Sequence, residues 1–94
     1  VSLSPAERRR TAEELAENVR RAGTPSAELQ DDLGLSAAEL DAVLRMDAGV
    51  DPATVWRVRD HLDAAVRAAG REPAPYSSLT EEMRASARRW FGIG

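Results

Sequence analysis

A chain of 94 residues is enough for one small domain, and 17 of its residues are alanine, so a single shallow core is expected. With no cysteine it can have neither a disulfide framework nor a thiolate metal site, and no apolar run approaches the roughly 18 residues of a membrane span. The net charge of −3 is unevenly spread: residues 1–23 hold five arginines against four acidic residues, residues 24–51 one against seven, and residues 52–94 seven against five. All 13 basic residues are arginine, which GC-rich coding explains as readily as selection for guanidinium contacts.

The N-terminus reads VSLSPAERRR, without a basic stretch followed by an apolar signal core, so a cytoplasmic protein is expected. Ser4, Pro5 and Glu7 supply an N-cap, a first-turn proline and the partner of a capping box, which starts a helix that Gly23 ends. Ala12, Leu15, Ala16, Val19 and Ala22 form one narrow apolar stripe along it. Thr24-Pro25 repeats the cap-then-proline start for a short second helix with Leu29 and Leu33 buried and Gly34 at its end. Ser36 and Glu39 make a capping box for a third helix running to about Met46, with Leu40, Val43 and Leu44 inward.

Asp51-Pro52 restarts the chain, and Val55, Val58, Leu62, Ala65, Val66 and Ala69 line a fourth helix closed by Gly70, the backbone of the core. Residues 71–77, REPAPYS, contain two prolines that deny helix, so they should cross the surface extended with Tyr76 pinning them down. Ser78 and Glu81 form a further capping box, and Leu79, Met83, Ala87, Trp90 and Phe91 lie along one side of a C-terminal helix over 78–91. No strand pattern occurs. The expectation is an all-α fold of five helices: a core over 4–70, a linker over 71–77 and the C-terminal helix.

The short helix, the Gly34 turn and the capped helix that follows resemble the helix-turn-helix of lambda-repressor and Cro-like proteins. Leu29 and Leu33 would pack the first helix, Leu35 plug the turn, and Leu40 with Val43 seat the second. Gln30 departs from that pattern, standing where such motifs have a small residue. The chain as a whole, from SLSPAERRRTAEEL through DPATVWRVRDHL to EPAPYSSL and the terminal RRWF, resembles a family of small uncharacterised bacterial proteins known only as a domain of unknown function, DUF2316. That resemblance implies a helix-turn-helix fold and supplies no activity, substrate or binding residue.

The outward positions of the third helix are Ser36, Ala37, Ala38, Asp41, Ala42 and Arg45, the candidate binding face. Base readout draws on Arg, Lys, Asn or Gln, and phosphate contacts need positive charge or donors; only Ser36 and Arg45 qualify. Glu28, Asp31, Asp32, Glu39 and Asp41 oppose the phosphate term. An acidic face with small alanines instead suits a basic protein surface. Protein recognition, including a homodimer, is therefore the first reading and DNA binding the second.

Arg84, Arg88 and Arg89 form an alternative basic patch, although Glu81 and Glu82 precede them and the charges equally suit the helix dipole. Arg8, Arg9 and Arg10 cluster early in the first helix, where Glu7, Glu13 and Glu14 can pair with them at helical spacing. Trp56 lies beside the main apolar stripe and needs a cover: Trp90 and Phe91 are expected to close over it as packing anchors, or else to serve as dimer anchors.

His61 is the one histidine, and Asp60 and Asp63 are not arranged on its helical face. Asp47, Gly49 and Asp51 lack the closing glutamate of a calcium loop, so a linker and a helix cap account for them. No metal or cofactor site is read. Nor is there a nucleophile with a base, a pair of perturbed carboxylates or a phosphate-binding glycine loop, and adjacent carboxylates such as Asp31 and Asp32 point about 100° apart on a helix, so the expectation is a non-enzymatic module without a small-molecule substrate.

Overall fold

A computed structural model describes residues 3–85. The chain is all-helical, and no strand occurs among the described residues. In chain order the helices are α1 (Pro5–Ala22), α2 (Ser26–Leu33), α3 (Ala37–Leu44) and α4 (Pro52–Ala68); a fifth, α5, opens at residue 81 and is described through 85.

Local chemistry places most of the boundaries. The Ser4 hydroxyl accepts the Glu7 N–H at 3.1 Å while the Glu7 carboxylate accepts the Ser4 N–H at 2.8 Å, and Pro5 supplies a preset φ at the first turn. Asp51 caps α4 through the Ala53 N–H at 3.1 Å. Two starts differ from the sequence expectation. Thr24 does not cap α2, which begins at Ser26 after Pro25 with no side-chain cap bond. Ser78 does not cap α5 either: it is buried, and the Thr80 hydroxyl accepts the Met83 N–H at 3.2 Å. In both places a second hydroxyl or a proline stands within two residues of the expected cap.

α1 and α4 form the main layer, with their C-terminal ends brought together where Arg71 Nη1 donates to the Arg21 carbonyl at 2.8 Å. Leu15, Leu40, Leu62 and Val66 are fully buried, each contributing about 1.5–3 kcal/mol by leaving water. The buried centre of α1 is Thr11, Leu15 and Asn18, with Ala12, Ala16, Val19 and Ala22 half-buried beside it. The apolar stripe of the sequence is thus the flank of the buried face, because two polar residues share that face with Leu15. Along α4, Val55, Val58, Leu62 and Val66 are buried as the periodicity requires; Trp56 joins them, and Ala69 is exposed just past the end of the helix.

The extended segment 71–77 is strapped to α1. Asn18 takes both polar groups of one residue, its side-chain oxygen accepting the Ala74 N–H at 2.7 Å and its amide donating to the Ala74 carbonyl at 3.2 Å. Glu14 accepts the Ser77 N–H and Arg21 donates to the Glu72 carbonyl, so a strand-like stretch without a sheet has its backbone groups satisfied by side chains. Tyr76 packs half-buried against the core with its ring 5.1 Å from the Arg59 guanidinium.

Candidate functional site

Two eight-residue helices, α2 and α3, meet across a short turn. Gly34 closes α2 at φ 68°, a left-handed conformation that costs a side-chain-bearing residue about 1–2 kcal/mol, and its N–H reaches the Gln30 carbonyl. Arg57 of α4 donates to the Leu33 carbonyl at 2.7 Å, satisfying an acceptor that the helix end leaves open and fixing α2 to the core. Gln30 turns back along its own helix, donating to the Ser26 hydroxyl at 3.2 Å. Ser36 and Glu39 cap α3 reciprocally at 2.8 and 3.1 Å, and these bonds from Ser36 hold the Glu39 carboxyl below its ordinary range.

With Leu40 and Val43 buried, α3 turns Ser36, Ala37, Ala38, Asp41 and Arg45 outward as exposed residues and leaves Ala42 half-buried. Arg45 is not a free cation. Its guanidinium grips Asp47 through Nη2 at 2.9 Å and Nε at 3.4 Å, and this bond raises its pKa. Glu28, Asp31, Asp32 and Asp41 are all exposed around the same two helices. The surface is therefore anionic, with the one arginine of residues 24–51 paired to one of their seven acidic residues.

The end of α3 carries backbone strain. The Met46 N–H bonds to the Val43 carbonyl at 2.9 Å and the Asp47 N–H to the Ala42 carbonyl at 3.0 Å, a closure that needs a left-handed residue between them. Here that residue is Met46 at φ 54°, 8% exposed, whose buried thioether offsets a cost that glycine would avoid.

The alternative basic patch is divided. Arg84 lies over Trp56, 4.7 Å from its guanidinium carbon to the ring centre, and bonds to Asp60 and Glu81. Arg88 and Arg89, like Trp90 and Phe91, lie outside the described residues. Trp56 is 6% exposed, with the Arg84 guanidinium over its ring and Arg59 at 5.9 Å. Arg59 is itself held by the Leu79 carbonyl at 3.2 Å.

Arg8, Arg9 and Arg10 make no ion pair among the described residues. Two of the carboxylates expected to neutralise them are used elsewhere, Glu7 in the Ser4 cap and Glu14 on the strap. His61 Nε2 stands 3.4 Å from Asp32 Oδ2 on α2, a contact from another helix that spacing along α4 does not reveal. Asp47 and Asp51 are engaged by Arg45 and the α4 cap. Among the described residues no three His, Asp or Glu side chains gather as a metal site, and no helix is long and apolar enough to cross a membrane.

No curated protein and no solved structure matches the chain. A family model does match, over residues 1–92, and its description is an uncharacterized protein conserved in bacteria, DUF2316. With nearly its whole length covered, the chain belongs to that family of uncharacterised bacterial proteins.

Proposed function

We propose that the chain is a non-enzymatic, cytoplasmic protein-binding module built on a helix-turn-helix formed by α2, Gly34 and α3, with the outward side of α3 as its acidic docking face. The observation that carries this reading is the Arg45–Asp47 pair. It engages the one cation of the face, and apart from Ser36 the outward residues are alanines and carboxylates where a reader of DNA presents donors. Ala37 and Ala38 let a partner backbone approach closely, and the anionic surroundings steer a basic partner into encounter.

The test is an NMR titration with an amphipathic helical peptide bearing arginines on one side. Amide shifts concentrated in residues 26–45 and suppressed by added salt are the expected result. Shifts spread over the whole protein, or none, count against the acidic face.

DNA binding is the second reading, and one observation favours it: Arg8, Arg9 and Arg10 are unpaired among the described residues. Phosphate contacts from α1 would give non-specific affinity with a strong salt dependence, without using α3.

A further inference from the structure

The first half of α1 and the end of α3 enclose an open groove of about 650 Å³. Its lining is mixed: Ala12 and Ala16 from α1 and Leu44 and Met46 from α3 and its closing turn are apolar, while Arg8, Arg9, Glu13 and the Arg45–Asp47 pair bring charge of both signs, with the arginines in excess by one. This groove lies at the C-terminal end of α3, whereas the exposed carboxylates Glu28, Asp31 and Asp41 surround α2 and the outward face of α3. An eight-residue helix is only about 12 Å long, so the groove that Arg8 and Arg9 line and the acidic surface lie within one interface footprint of each other.

We propose that the groove is occupied by a second copy of this chain, in a symmetric dimer with the two α3 helices antiparallel. A two-fold axis across α3 sets the acidic, alanine-bearing start of each helix into the groove at the end of the other. The same charge-complementary contact is thereby made twice, as an isologous interface requires. Arg8 and Arg9 of one copy face Asp31 and Asp41 of the other, and Leu35 and Ala37 meet the apolar part of the groove. Three facts favour this occupant. Arg8 and Arg9 have no carboxylate partner among the described residues, and Asp31 and Asp41 have no cationic one. Residues 24–51 carry seven acidic residues against one arginine, a charge opposite to that of Arg8 and Arg9. Residues 86–94 contain two arginines and no acidic residue, so they have the wrong charge for the same pair. The proposal rests on the acidic-face reading and names the partner that reads it.

The experiment is sedimentation equilibrium from micromolar to millimolar protein at low and high salt. Wild type is expected to dimerise at low salt and to dissociate as screening increases. Arg8→Glu/Arg9→Glu should weaken the dimer by about tenfold or more, close to 1.4 kcal/mol per tenfold, while circular dichroism stays unchanged because acidic residues in the opening turns suit the helix dipole. Asp31→Arg/Asp41→Arg should weaken it equally, and an equimolar mixture of the two variants should form a heterodimer. A strictly monomeric wild type, a dimer indifferent to Arg8→Glu/Arg9→Glu, or a mixture that fails to associate overturns the proposal. If wild type is a monomer yet the basic peptide still shifts residues 26–45, the dimer alone is wrong. If a random duplex binds the groove and Arg8→Glu/Arg9→Glu abolishes it while wild type stays monomeric, the groove is a phosphate site instead.

Discussion

Arg84 stacks its guanidinium 4.7 Å from the centre of the Trp56 ring while Nη1 donates to Asp60 Oδ2 at 2.9 Å, so one side chain from α5 both roofs an aromatic and closes an ion pair with α4. Its side chain is only 14% exposed, which distinguishes it from an ordinary surface salt bridge. Arg84→Ala should cost about 1–2 kcal/mol, combining the lost stacking with a half-exposed Asp60 left to Arg59 alone. Trp56→Ala, which empties a core position, should cost about 3–5 kcal/mol. Urea unfolding of both variants against wild type gives the two values, and near-equal costs would contradict the division of roles.

The same cluster sets an acid limit. Burial pushes the Asp60 carboxyl up, but the bonds from Arg84 and Arg59 outweigh it, and its pKa lies below the ordinary carboxylate range. A group depressed in the folded state contributes stability above its unfolded pKa and loses it as the pH falls through the folded one. The attachment of α5 is therefore expected to be constant near neutrality and to weaken as the pH falls from the usual carboxylate range through the depressed pKa of Asp60. The Trp56 indole N–H, followed by NMR through an acid titration, should move in that low-pH window. A transition near neutrality would contradict the assignment to Asp60.

Asn18 is the strap's anchor. Fully buried, it satisfies the N–H and the carbonyl of Ala74 across 56 positions of sequence. Asn18→Leu keeps the side chain's bulk and strands both backbone groups, so a loss of about 2–4 kcal/mol is expected, with faster amide exchange at 72–79 before the rest of the chain. Uniform exchange changes would show that the strap has no separate stability.

Caps separate the true helix starts from the apparent ones. Ser36→Ala should cost about 1 kcal/mol, because its hydroxyl accepts the Glu39 N–H, whereas Thr24→Ala should stay within about 0.5 kcal/mol, because α2 starts without a side-chain cap. Thermal unfolding of the two variants makes the comparison directly.

These contrasts show what a linear pattern can carry. The capping boxes at Ser4 and Ser36, the proline starts and the leucine and valine spacings of α2, α3 and α4 are local, and the order of residues alone is enough to read them. The long-range partners are not legible in that way. Nothing near Asn18 points to Ala74, nothing near Arg57 points to Leu33, and nothing near His61 points to Asp32. Thr11 and Asn18 do follow the helical period, lying four before and three after Leu15 on the same face, but their polarity masks it. At the candidate face, outward Asp41 and Ala38 follow from the inward leucines. The pairing of Arg45 with Asp47 depends on the turn geometry around Met46, which sequence spacing does not encode.

The claim that the α3 face repels nucleic acid is tested most directly by fluorescence anisotropy of a labelled random-sequence duplex titrated with the protein at low salt. Little or no rise is predicted, because the α3 face offers a phosphate only the Ser36 hydroxyl and an arginine already gripped by Asp47, among exposed carboxylates. Tight binding that falls steeply as salt is added, and that survives substitution of Arg8, Arg9 and Arg10, would contradict it.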